Sequence, residues 1–243
     1  MLKMSGRNQI STFNEKSLHA ALKAWYAQPF DRVEATVDGF VIDLVRGDLL
    51  IEIQTRSFAS LKRKLSTLTT HHPVRLVYPI AQEKWIVKLD ESLTRPLDRR
   101  RSPKRGVVEQ LFAELVSFPK LIANPNFSLE ILLIREEEKR RYVGPRQVWR
   151  RRGWATHERS LLEVVEQRRF TAPADLLALL PATLPNPFTT ADLATALAQP
   201  RRLAQQMTFC LREVDLIKEI GKQGRAVLYQ TSECLLKPEG NAT

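Results

Sequence analysis

Two tight-turn signals, nine residues apart, constrain this chain more than any other feature. Asp38-Gly39 and Gly47-Asp48 separate three runs rich in Val, Ile and Leu, at 32–37, 40–46 and 49–55. Asp-Gly suits a type I′ turn and Gly-X a type II′ turn, the two hairpin connections that match strand twist. The spacing therefore predicts a three-strand antiparallel meander with both registers fixed. If Gly47 and Asp48 are the central turn residues, Arg46 opposes Leu49 and Asp43 lies across from Glu52. The first turn likewise sets Glu34 across from Asp43, and Gln54 projects from the same face as Glu52.

This arrangement makes a row of acids. Val33, Ala35, Ile42, Leu44, Ile51 and Ile53 are expected on the opposite, core face, while Val41, Val45 and Leu50 share the acid face and imply that it is partly covered. Directly opposed like charges destabilise a sheet, so something should compensate them. A divalent cation bridging Asp43 and Glu52, with Glu34 as a possible third ligand, is the economical candidate. Oxygen-only ligands favour Mg²⁺ or Mn²⁺. The plainer alternative is a solvated face with ordinary surface acids. A one-residue slip would turn Glu52 to the core.

Around the meander, helices and strands alternate. Asn14 to Tyr26 has helical spacing at Leu18, Ala21, Leu22 and Trp25, with Asn14 as N-cap, and Ser57 to Thr69 repeats the pattern. Val74 to Ile80 and Lys84 to Leu89 are expected strands, Arg95 to Arg105 a basic loop, Val107 to Ile122 a helix and Phe127 to Arg135 a strand. The class is α/β, with an α+β mixed sheet. From Glu136 the composition shifts to dense charge with Tyr142, Trp149 and Trp154 interleaved. The expected organisation is a core at 1–135, a basic connector at 136–169, a small helical domain with a hairpin at 170–232 and a flexible tail at 233–243.

The run Val41-Ile42-Asp43, then Gly47, then Leu50-Ile51-Glu52-Ile53-Gln54-Thr55 resembles the PD-(D/E)XK nuclease superfamily, with its restriction-endonuclease-like fold. The order helix, three-strand meander, helix, strand matches that core over roughly Gln9 to Leu89. The resemblance implies metal-dependent phosphodiester hydrolysis. Asp43 and Glu52 would hold the metal, Glu15 in the first helix would join the site, and Gln54 would position the nucleophile. Gln54 stands where the superfamily usually has Lys; it can hold a water or phosphate oxygen but brings no charge. Arg56 or Lys62 is a candidate for supplying that charge.

Residues 190–229 resemble a winged-helix DNA-binding domain. Thr189-Thr190-Ala191-Asp192 looks like an N-capped helix, and Arg201 to Val214 would be the recognition helix. Leu203, Ala204, Met207, Cys210, Leu211 and Val214 follow core periodicity, and Arg201, Arg202, Gln205, Thr208 and Arg212 take the other face. Leu216 to Tyr229 would be a hairpin with Lys222 and Arg225 at its tip. The resemblance implies a helix in the major groove and a wing on the backbone. The plainer alternative is a small bundle that binds protein.

Charge agrees with such a partner. Against 27 Asp and Glu stand 38 Lys and Arg, a formal net charge of +11 on 243 residues, so the surface attracts anions, nucleic acid foremost. Arg99, Arg100, Arg101, Lys104 and Arg105 are candidate backbone contacts, the last two beside an expected helix N-terminus. Arg150 and Arg151, with Arg146, Trp149 and Trp154 nearby, are candidates for tracking a strand or stacking on bases. With two cysteines and no Cys/His cluster, zinc and disulfide scaffolds drop out. No apolar run reaches membrane-spanning length, and no signal-peptide core follows Met1, so the expected setting is the cytoplasm, or the nucleoid in a bacterium. The expected activity is DNA cleavage, with a homodimer possible for cutting both strands. A catalytically silent DNA-binding or regulatory protein and an RNA nuclease are the alternatives.

Overall fold

A computed structural model describes residues 9–232, with side chains described from residue 17 onward except Arg150. The fold is a mixed α/β architecture built on one seven-stranded sheet and a separate two-stranded hairpin. Helix α1 (Gln9–Tyr26) is followed by the meander β1 (Arg32–Val37), β2 (Phe40–Arg46) and β3 (Leu49–Ile53). Both registers are as expected: Val37 pairs with Phe40 and Thr36 with Val41, while Arg46 pairs with Leu49 and Leu44 with Ile51. Asp38 and Gly39 both take positive φ, +49° and +77°, as a type I′ turn requires, and Gly47 takes +58°.

After α2 (Lys62–Leu68) come β4 (Val74–Leu89), β5 (Pro96–Arg101), α3 (Phe112–Leu115), β6 (Phe127–Tyr142) and β7 (Trp154–Phe170). The sheet order is β1-β2-β3-β4-β6-β7, with β5 paired antiparallel to the far end of β4. The chain ends, within the described residues, in α4 (Thr190–Ala196), α5 (Arg201–Glu213) and the hairpin β8 (Ile217–Gln223) and β9 (Ala226–Thr231). Among the described residues no helix is long and apolar enough to cross a membrane.

Two compact units divide the chain discontinuously. The first comprises residues 1–56, 76–108 and 131–168; the second comprises 57–75, 109–130 and 169–243. In the first, Leu18, Leu22 and Tyr26 of α1 meet Leu44, Ile51, Ile53, Val77, Leu132 and Ile134 of the sheet. Apolar positions at i and i+4 of α1 thus cover one sheet face. In the second, Phe58 stacks on Phe118 at 5.4 Å between ring centroids, and Phe118 meets Phe127 edge-on at 6.2 Å.

Several expected elements take other forms. The expected connector at 136–169 belongs mostly to strands β6 and β7. Its charges are consumed across strands: Lys84 Nζ lies 2.7 Å from Glu136 and 3.2 Å from Glu138, and Arg159 Nη2 lies 2.6 Å from Glu136. Glu136 and Glu138 are 0% and 3% exposed, which is tolerable for carboxylates only because each is paired. Burial alone would raise the Glu138 carboxyl, but the Arg140 hydrogen bond and the nearby Lys84 charge hold it at about 2. For the same reason β4 runs unbroken where two strands were expected, since Glu83 pairs with Arg101 and Lys84 with Glu136.

The expected helix over 107–122 is broken. A 3₁₀ turn at Val108–Leu111, the single turn α3 and another 3₁₀ turn at Pro119–Ala123 replace it. Pro119 lacks a donor and keeps Phe118 out of helical geometry (φ −156°, ψ 61°). The helix-terminus argument for Lys104 and Arg105 therefore has no long helix behind it. The domain expected at 170–232 opens on a 3₁₀ segment, Pro173–Leu179. The tail expected at 233–243 lies outside the described residues.

Candidate functional site

The acid row is compensated by α1. His19 Nε2 lies 3.1 Å from Asp43 Oδ2, and the Ile53 N–H donates to the same oxygen at 2.8 Å. One helical turn on, Lys23 Nζ pairs with Glu34. His19 and Lys23 thus present i, i+4 partners to acids on two adjacent strands. The hydrogen bond to Asp43 raises the His19 pKa above its ordinary value, against the effect of burial. Burial pushes Asp43 upward, but the His19 and Ile53 hydrogen bonds outweigh it and keep the carboxyl below the usual carboxylate range. Neither basic side chain stood among the sequence candidates. The signal was their four-residue spacing on the face of α1 turned toward the acids.

The β2–β3 pairs run from Arg46–Leu49 to Leu44–Ile51, one residue short of Asp43 and Glu52, and beyond them the Ile53 N–H goes to the Asp43 side chain. Glu52 is 5% exposed, Asp43 retains 16% of its side-chain surface, and Gln54 is half-buried with its N–H on the Val77 carbonyl at 2.9 Å. Val45 and Leu50 are buried on the acid face, as expected, whereas Val41 is 60% exposed. Val33, expected in the core, is 54% exposed because β1 is an edge strand. Glu34 takes φ +52° and its carboxylate is mostly exposed beside Lys23. The Glu15 side chain lies outside those described.

The donor set can be tested against a divalent cation. Mg²⁺ commonly binds through one or two carboxylates and keeps several waters, so the ligand type of Asp43 and Glu52 suits it. Among the described residues no group of three or more His, Cys, Asp or Glu side chains comes together as a metal site. Glu34, the expected third ligand, is paired with Lys23.

The second candidate surface lies on α4, α5 and the β8–β9 hairpin. Thr189 caps α4 with a capping box: its hydroxyl accepts from the Ala191 and Asp192 N–H groups, and Asp192 accepts the Thr189 N–H at 2.8 Å. Leu203, Ala204, Met207, Cys210 and Leu211 bury one side of α5, while Arg201, Arg202, Gln205 and Arg212 are exposed. Thr208, expected outside, is 2% exposed. Burial pushes the Cys210 thiol up to about 12, so it is inert packing. Phe188 and Tyr229 exchange backbone hydrogen bonds at 2.9 and 2.8 Å, adding a one-residue third strand to the hairpin. Between α5 and β9 lies an open cleft of about 340 Å³, lined by Arg201, Gln205, Arg212, Arg225 and Tyr229 among others. Lys222 stands exposed at the hairpin tip.

The other basic candidates divide by how they are used. Arg99 lies over the Trp85 ring at 4.2 Å and bonds Glu137, Arg101 pairs with Glu83, and Arg151 bonds Glu138 at 3.0 Å. Arg105 lies 3.8 Å from Glu83. Arg56, Arg100 and Lys104 are exposed.

A sequence model of DUF8091, described as a domain of unknown function, matches residues 16–171. An uncharacterized protein of Treponema pallidum (strain Nichols) is 31% identical over 231 residues, covering 91% of this chain and 87% of the relative. No solved structure matches.

Proposed function

Because the chain belongs to the DUF8091 family, its function is read from its own site, and we propose that it is a metal-dependent nuclease that acts on DNA. The observation that supports this reading is that Asp43 and Glu52 lie one residue beyond the Leu44–Ile51 pair on adjacent strands, with Glu52 only 5% exposed. Two adjacent carboxylates suit Mg²⁺ or Mn²⁺. When bound, such an ion would polarise the scissile phosphate and acidify a water. Asp43 and Glu52 would hold it, Gln54 would orient the nucleophile through its amide, and His19 would fix the angle of Asp43. The capping box of α4, the amphipathic α5 and the two-stranded hairpin with its Phe188 bridge support reading residues 190–229 as a winged helix, with Arg201, Arg202, Gln205, Lys222 and Arg225 on the phosphate backbone.

A second reading is a silent DNA-binding protein. The His19–Asp43 and Lys23–Glu34 pairs favour it, because they neutralise the acids without a metal. A cleavage panel of duplex DNA, single-stranded DNA and RNA with Mg²⁺ or Mn²⁺ separates the two. The nuclease reading expects cutting that Asp43→Ala and Glu52→Ala abolish while binding survives. Binding with no cleavage by the wild type on any substrate would leave the silent reading, and RNA-only cleavage would move the substrate.

A further inference from the structure

The cleft between α5 and the final hairpin has a one-sided charge. Along α5 the exposed positions Arg201, Gln205 and Phe209 follow one another at four-residue spacing and form a single stripe. That stripe is one wall of the open space of about 340 Å³. Gln223 pairs with Ala226, so Gly224 and Arg225 are the hairpin turn itself, with Gly224 at φ +61°. The turn brings Arg225, and Val227 behind it, to the same cavity. Three guanidiniums therefore line it, those of Arg201, Arg212 and Arg225, and no carboxylate does. Arg212 is engaged by Glu219 of β8. Arg201 and Arg225 have no acidic partner among the described residues. Phe209 and Val227 give the cavity an apolar side.

We propose that this cleft binds a nucleoside phosphate, with Arg201 and Arg225 on the phosphate oxygens, Gln205 on the polar edge of the base and Phe209 and Val227 against its ring. Like charges gathered around one space repel, and an anion between them reverses that cost. Guanidinium forks match the several oxygens of a phosphate. Small-molecule sites span roughly 300–1,000 Å³, so the cavity has room for more than a bare anion. Its apolar side is covered only by a ligand that is also apolar in part. A nucleotide supplies both halves, a phosphate and a flat ring. Bases inside an intact duplex are stacked away, so the ligand is a free nucleotide or the unpaired end of a strand. The inference rests on the reading of Arg201, Gln205 and Arg225 as phosphate contacts and adds the ring beside them.

Titration calorimetry of the full-length protein with adenosine 5′-monophosphate, adenosine and inorganic phosphate tests it. The nucleotide should bind saturably, roughly tenfold or more tighter than either fragment. Arg225→Ala should weaken it about tenfold, the size of one charged hydrogen bond. Phe209→Ala should weaken it about tenfold as well, and Phe209→Tyr should keep most of the affinity. Thermal melting of all three variants should match the wild type. A short single strand with a 5′-phosphate that displaces the nucleotide better than the same strand with a 5′-hydroxyl assigns the site to a strand end; equal displacement by the two assigns it to the free nucleotide. Adenosine 5′-monophosphate that does not bind, or that binds Arg225→Ala and Phe209→Ala as tightly as the wild type, overturns the inference. Duplex binding that Arg225→Ala still weakens would then spare the phosphate-contact reading. Wild-type protein that binds neither nucleotide nor duplex overturns both.

Discussion

Single residues carry most of the compensation in this protein. Glu138 is almost fully buried, yet Arg140, Lys84 and Thr156 keep its carboxyl charged down to about pH 2. An unfolded glutamate titrates near 4.5, so the folded carboxyl is the more acidic of the two. Its contribution is complete above pH 4.5 and is lost as pH falls toward 2. At ~1.4 kcal/mol for each pH unit between those values, it amounts to about 3 kcal/mol. Urea midpoints of the wild type should therefore fall between pH 4.5 and 2. Glu138→Gln should start lower at neutral pH and change less over that interval; parallel curves would show that the carboxyl is not what titrates. The acids of the meander were legible in the sequence because two turns fix their register. Their partners His19 and Lys23 offered only a four-residue spacing, which does not say which sheet positions a helix face will cover.

Among the elements, α5 has the clearest division of labour. Its buried side is packing and its exposed side is charge, so the two can be perturbed separately. Met207 is 0% exposed, and Met207→Ala should cost about 2–5 kcal/mol in chemical denaturation. Arg202→Ala should leave stability within about 0.5 kcal/mol. On the proposed winged-helix reading it should instead weaken duplex binding and reduce the slope of log affinity against log salt by about 1. The helices α4 and α5 and the final hairpin were readable because capping box, amphipathic period and turn residues all lie within a few positions of one another. Strands β6 and β7 were hidden for the opposite reason. Glu136, Glu138, Arg140 and Arg159 look like solvated charge in sequence, and only their pairing across strands makes a charged segment fit inside a sheet.

At the scale of the whole molecule, neither unit is a continuous stretch of chain. In the second unit α5 packs against α3 and the 3₁₀ turn at Pro119–Ala123, and Lys120 reaches Glu213 at 3.7 Å. A fragment of residues 170–243 lacks those supports. It should melt with lower cooperativity than the full chain and bind a hydrophobic dye; a sharp, dye-free transition would show that the segment is autonomous. The first unit has the same property along the direction of synthesis. Leu18 and Leu22 wait for Leu132 and Ile134 to complete their core. At about 5–20 residues per second, translation leaves that core incomplete, covered only by Leu44, Ile51, Ile53 and Val77, for several seconds. The nascent chain passes its most exposed interval before β6 leaves the ribosome, so holdase protection should be needed early in synthesis and dispensable once residue 168 has emerged.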